Sequence, residues 1–223
     1  MRMGSKVLAA VVVAWSCAAL CSAAGAAQRE TPQIDFAGEP ASADVQGMAR
    51  WVADTGDNRG QPFAIVDKKI AKVFVFGAEW RLVGAAPVLL GLAKGDDAVP
   101  GIGQRALDDI LPAERTTPAG RFDSEPGRNL SGEAIVWVDY DAGFAIHRLR
   151  PGNSAAGRQQ RLASAKAGDH RVSLGCIVVA PAFYEAVVGA TLGRHRGVVY
   201  VLPETRAMQE VFGDSSYRLG SSD

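Results

Sequence analysis

The sequence predicts a mainly β domain with a few short helices, closed as a barrel or sandwich. Beyond Gln61 the apolar pattern changes from a helical period to strand-length runs rich in Val, Ile and Phe. Turn-forming clusters separate those runs. Strands and long helices do not alternate, as a doubly wound sheet would require. A chain of 223 residues is long enough for one sizeable core.

The elements follow in order. Residues 1–26 read as a secretory signal peptide: Arg2 and Lys6, an apolar run from Val7 to about Leu20, then small residues with an A-x-A-like site at Ala24-Gly25-Ala26. The run is shorter than the ~20 residues that span a bilayer, and Ala18 stands where a lipoprotein site would want leucine. Residues 27–60 read as a linker carrying one amphipathic helix, Ser42 to Asp54. Val45, Met48, Ala49 and Val52 give its apolar face, Ser42 its N-cap, and Trp51 lies on its flank. The main domain is expected over 61–212. A β-meander is expected at Phe63 to Val66, Ile70 to Phe76 and Arg81 to Leu90, then a long Gly-, Pro- and Asp-rich loop, Gly91 to Gly120, with one helical turn at Leu107 to Ile110. A loop of that length inside a compact domain is usually functional or disordered. Strands at Ala134 to Tyr140 and Gly143 to His147 precede a polar stretch, Arg148 to Asp169. A strand from Arg171 to Val179, a helix from Pro181 to Thr191, a strand over "GVVYVLP" and a helix from Glu204 to Phe212 complete the domain. Residues 213–223 read as a polar tail.

Lysine plus arginine and aspartate plus glutamate number 24 each. This balance lacks the one-signed field that binds nucleic acid or an anionic membrane, so no nucleic acid and, after signal cleavage, no membrane partner is expected. No cofactor is expected, and three scattered histidines with one mature cysteine give no metal-ligand spacing. "GDD" at Gly95 to Asp97 and the pair Asp108-Asp109 read as solvated loop charges.

Signal removal would take Cys17 and Cys21, leaving Cys176 as a lone thiol in an oxidising compartment. It is either a small buried hydrophobe or a nucleophile. A nucleophile needs a base or cation that lowers its pKa, and donors for the oxyanion. His195, in "GRHRG", reads as a solvated turn residue. His170 lies six residues away, about 20 Å along an extended strand. His147, ending a strand from elsewhere in the chain, is the better base.

"SLGCI", with His147 upstream, resembles the L,D-transpeptidase catalytic domain (YkuD-like, ErfK/YbiS-type), whose signature is a histidine, a spacer, then Ser/Thr-His-Gly-Cys-hydrophobic-Asn or Arg. His147, Ser173, Gly175, Cys176 and Ile177 match. "AIVDKKIAKVFVFGAEWRLVGAAPVLLG" is similar to the family's opening meander, and "TTPAGRF", Thr116 to Phe122, to the segment before its central strands. The resemblance covers about Phe63 to Pro203. Leu174 departs from the signature histidine and Val178 from Asn or Arg. The 25-residue spacer from Arg148 to Val172 is long and carries Arg148, Arg150, Arg158 and Arg161.

The resemblance implies a YkuD-like fold and a periplasmic enzyme of cell wall biogenesis and cell shape. Cys176 would attack peptidoglycan stem peptides, giving cross-linking or L,D-carboxypeptidase outcomes, with a carbapenem β-lactam as inhibitor. It assigns His147 as base, Ser173 as support, and the Gly175 and Cys176 amides as oxyanion donors. Arg171 and Arg148 are the candidates for a substrate carboxylate. Leu174 and Val178 leave open an alternative, a degenerate module that binds peptidoglycan without turnover.

Overall fold

The computed structural model describes residues 34–152 and 154–213. The signal-peptide reading and nearly all of the tail lie outside the described residues. Among the described residues no helix is long and apolar enough to cross a membrane.

Helix α1, Ala43–Thr55, forms where the apolar period placed it. The Ser42 hydroxyl accepts from the Val45 amide at 3.2 Å, and Gly56 ends the helix in the left-handed conformation at φ 66°. Its buried face, Val45, Met48, Ala49 and Val52, packs on Phe63, Ile65, Phe74, Phe76 and Tyr200.

Ten strands follow: β1 Phe63–Asp67, β2 Lys72–Phe76, β3 Leu82–Pro87, β4 Leu90–Gly91, β5 Gly120–Arg128, β6 Ala134–Asp139, β7 Phe144–Arg148, β8 Arg171–Ser173, β9 Ile177–Val179 and β10 Gly197–Leu202. Eight of them form one sheet in the order β3-β2-β1-β10-β5-β6-β7-β9. The pairs β1–β10 and β7–β9 are parallel, and the others in this sheet are antiparallel.

The fold class is mainly β with few short helices. Strands β1, β2 and β10 alternate between two cores. Phe63, Ile65, Phe74, Phe76, Val198 and Tyr200 face α1. Ala64, Val66, Val73, Val75, Val199 and Val201 face a second core with Ile146, Ile177, Tyr184 and Val188. Burial on both faces explains their unbroken apolar runs.

The two edges of the sheet approach each other through the chain that leaves β3. Leu89 exchanges both backbone hydrogen bonds with Val178 of β9, at 2.8 and 2.9 Å. Strand β4 then pairs in parallel with β8, Leu90 beside Arg171 and Gly91 beside Ser173. The eight-stranded sheet is thereby nearly closed.

Five expectations change. Strand β5, "GRFDSEPGR", was not anticipated and joins the halves of the sheet between β10 and β6. The polar stretch holds a helix, α2, Ala155–Leu162. The strand expected over Arg171 to Val179 is interrupted by a turn at Leu174 to Cys176. After β9, a short α3, Pro181–Phe183, runs into π-helical Tyr184–Val188. The last helix, α4, is only Met208–Phe212, because Glu204, Thr205 and Arg206 use their amides elsewhere.

Those amides bind Asp96, at 2.9, 2.8 and 2.7 Å. Contrary to the reading of "GDD" as solvated, Asp96 is 4% exposed. Asp97 does stay at the surface, paired with Arg206. The Asp96 partner is Lys68, whose ammonium donates to the Asp96 carboxylate at 2.7 Å and to the Gly95 and Thr117 carbonyls at 2.6 and 2.7 Å. All three ammonium protons find acceptors, which a buried lysine requires. Glu204 lies 3.8 Å from the Lys68 ammonium and also binds Arg171.

Burial alone would raise the Asp96 pKa. The Lys68 ammonium, the Thr205 hydroxyl and the Glu204 and Thr205 amides outweigh it and hold the carboxyl well below the usual range. A depressed folded-state pKa gives stability that is present above about pH 4 and lost as pH falls below it, since the unfolded chain then binds the extra proton. The urea midpoint should therefore fall with pH below about 4, and Asp96→Asn should lack that component of the fall. Lys68→Met, which leaves Asp96 buried without its cation, should cost about 3–5 kcal/mol by urea unfolding at pH 7.

Candidate active site

The turn between β8 and β9 carries Cys176 and is fixed by its own side chains. The Ser173 hydroxyl accepts from the Gly175 amide at 3.1 Å and donates to the Cys176 carbonyl at 2.7 Å. Gly175 has φ 138°, and a Cβ there would lie 2.8 Å from the Thr116 carbonyl. Only glycine fits both the conformation and the approach. Thr117, fully buried, clamps the turn from below: its hydroxyl donates to the Gly175 carbonyl and accepts from the Gly91 amide, each at 2.8 Å.

His147 enters from β7. It pairs with Val178 in the parallel β7–β9 register, as Ile146 pairs with Ile177. Paired residues share a face and successive residues alternate. Ile146 and Ile177 point into the core, while His147, Cys176 and Val178 line one cleft. This closes the 29-residue gap between Cys176 and His147.

His147 Nδ1 lies 2.8 Å from the Arg148 carbonyl. A carbonyl only accepts, so Nδ1 carries the proton and Nε2 keeps its lone pair. Burial pushes the His147 pKa down, opposed by the Arg148 carbonyl and helped by the Arg150 charge.

The Cys176 thiol donates to the Gly143 carbonyl at 3.5 Å. Burial pushes its pKa up, although the Ala145 amide and the Arg150 charge favour the thiolate. A lowered histidine and a raised thiol both favour the neutral form.

The cleft holds about 370 Å³. Ile135 and Trp137 line it from β6, and Ala98, Ile102, Leu107 and Ile110 from the long loop after β4. That loop folds as three 3-10 turns, Ile102–Gln104, Leu107–Asp109 and Pro112–Glu114. It closes against the β6–β7 turn at Gly103, where a Cβ would lie 2.1 Å from the Asp141 carbonyl.

Other expected site residues fall elsewhere. The Gly175 amide is committed to Ser173, so it is not an oxyanion donor aimed into the cleft. Arg171 lies outside the cleft: it binds the Lys68 carbonyl at 3.0 Å and Glu204. Arg148 also lies outside, stacked on Tyr184 at 4.6 Å and paired with Glu185 and Glu133. His170 is buried, its ring nitrogens 2.9 and 3.0 Å from the Val88 and Ser164 carbonyls. His195 is exposed, as expected. Leu174 sits at the cleft's edge, 36% exposed. Thr117 and Lys68 were not anticipated as supports: Thr117 lies in the "TTPAGRF" segment, which gave it no role, and Lys68 carries no motif of its own.

No family model matches the chain, and no curated protein matches it. Among solved structures it is similar to the helical cell shape determining protein Pgp2 from Campylobacter jejuni, at 16% identity and TM-score 0.42, covering 71% of this chain and 56% of that one. It is similar to an L,D-transpeptidase from Mycobacterium smegmatis, at 18% identity and TM-score 0.35, covering 63% and 58%. A third is an LD transpeptidase in complex with imipenem, at 18% identity and TM-score 0.37, covering 63% and 58%. The chain spans less than two thirds of each of these solved chains.

A neutral resting thiol has a kinetic signature. Alkylation of Cys176 by iodoacetamide should be slow at pH 7 and climb without a plateau through pH 9, beyond the ordinary thiol value of about 8.5. A low-pH plateau would indicate a preformed thiolate instead.

Proposed function

We propose that the protein is a cysteine-dependent L,D-transpeptidase that acts on peptidoglycan stem peptides in the periplasm. The supporting observation is the shared face of β7 and β9, which brings His147 and Cys176 to one cleft with Nε2 free to take a proton. The motif order from His147 to Ile177 supports the same reading.

On this reading the Cys176 sulfur attacks the carbonyl between the third stem residue, a diamino acid, and the terminal D-alanine. His147 Nε2 takes the thiol proton as the C–S bond forms. The carbonyl oxygen gains the negative charge, and the Cys176 amide is its donor. The C–N bond then breaks, His147 returns the proton to the departing amine, and D-alanine leaves behind a thioester. The side-chain amine of a second stem attacks to form a cross-link, or water attacks to give the carboxypeptidase outcome. Throughout, Nδ1–H stays on the Arg148 carbonyl, which orients the ring and favours the imidazolium.

Leu174 at the cleft's edge and the raised thiol pKa favour a second reading, binding of peptidoglycan without turnover. Mass spectrometry of the intact protein after exposure to stem tetrapeptide or a carbapenem separates the two. Acyl transfer predicts an adduct on Cys176 with release of D-alanine from the tetrapeptide. His147→Ala should slow it about 10²–10⁴-fold, and the exposed control His195→Gln should leave it unchanged. Sacculus binding that survives Cys176→Ser, with no D-alanine released by the parent, would support the binding module.

A further inference from the structure

The cleft has an unbalanced charge. Three arginines line it, Arg105, Arg150 and Arg158, and no aspartate or glutamate does. Arg105 is paired with Glu114 at 2.9 Å and Arg150 with Glu133 at 2.9 Å. Among the described residues, Arg158 has no carboxylate partner within ion-pair distance. Its Nη2 donates to the Arg150 carbonyl at 3.3 Å, and its Nε is buried without a hydrogen-bond partner.

A guanidinium held this way is costly unless something completes it. A buried N–H without an acceptor loses its hydration with nothing in return. The position is not a loose surface one. Leu162, one helical turn beyond Arg158 on α2, is buried with Leu149 and Val178, and residues four apart share a helix face. The same contact that anchors α2 to β9 therefore aims Arg158 at the cleft, on the side where Val178 offers no polar group.

We infer that Arg158, with Arg150 beside it, is the specificity determinant of the cleft and takes a carboxylate of the bound peptide next to Cys176. The inference rests on the peptide-acylation reading above and deepens it. A guanidinium edge matches a carboxylate in shape and charge, and an amide in its place keeps the shape but loses the charge. A stem tetrapeptide whose third residue is a diaminodicarboxylic acid carries two carboxylates near the reacting bond, one on that residue's side chain and one at its C-terminus. Arg158 takes one of these two, and the acid-free lining of the cleft accommodates either.

The test uses binding, so it does not depend on turnover. The full chain carrying Cys176→Ser is titrated calorimetrically with stem tetrapeptide and with two analogues, each with one of the two carboxylates converted to an amide. Adding Arg158→Gln should weaken tetrapeptide binding about tenfold or more, and Arg158→Lys less. Amidating the recognised carboxylate should weaken binding to the same extent and make Arg158→Gln indifferent. The analogue that behaves this way identifies which carboxylate is read. Equal affinities of the parent and Arg158→Gln proteins for all three peptides would overturn the inference, as would no measurable binding of any peptide. A thermal melt of Arg158→Gln within a degree or two of the parent excludes unfolding as the cause. Peptide binding that needs Arg158, with no adduct ever forming on Cys176, would instead overturn the acyl-transfer reading and leave this one standing.

Discussion

The buried contact between Lys68 and Asp96 governs the position of everything around the thiol. Lys68 belongs to the β1–β2 turn, on the far side of the sheet from β9. Its ammonium draws together the start of the long loop, through Gly95 and Asp96, and its end, through Thr117. Thr117 then carries the constraint to Gly175 and Gly91. From the other direction, Arg171 ties the start of β8 to the Lys68 carbonyl and to Glu204. The turn holding Cys176 is thus fixed at both ends by one charged cluster. Such a cluster is expensive to bury, and its use here is geometric: it has one satisfied arrangement, and that arrangement sets the loop.

The chemistry of the cleft follows from that rigidity. Burial pushes the thiol up and the histidine down, which favours the uncharged pair. In the proposed reaction, charge arises only when a substrate carbonyl is in place to receive it. The His147 ring is already oriented, because the Arg148 carbonyl accepts from Nδ1–H. Arg150 supplies positive potential near both groups without being able to give up a proton. Leu174 and Val178 remove polar groups where the resemblance would place them, and Arg158 of α2 supplies a charged group from another element.

Much of the architecture was legible in the sequence for a physical reason. Strands β1, β2 and β10 are buried on both faces and so read as apolar runs, and α1 carries a clean helical period with its cap. Strand β5 was not legible: with Asp123, Glu125 and Pro126 it lacks both alternation and β-propensity, and it forms because β10 and β6 flank it. The turn at Gly175 was read through as strand because only the tertiary approach of Thr116 shows that the chain must bend there. For the candidate site, His147 and Cys176 were singled out by residue type and motif order, and both line one cleft. Arg171 was misplaced because a guanidinium serves a buried Glu204 as well as a substrate, and sequence does not show which acceptor is nearer. Asp96 was misread for the converse reason, since glycine and aspartate are turn-forming residues and aspartate is mostly exposed.

The central claim is that the Lys68–Asp96 pair holds the turn of Cys176 through Thr117. Amide hydrogen exchange at Gly91 and Gly175 tests it most directly, compared between the parent and Lys68→Met under conditions where the β1 amides stay protected in both. The account predicts exchange at the two glycines at least about tenfold faster in Lys68→Met. Unchanged protection at both, with β1 intact, would contradict it.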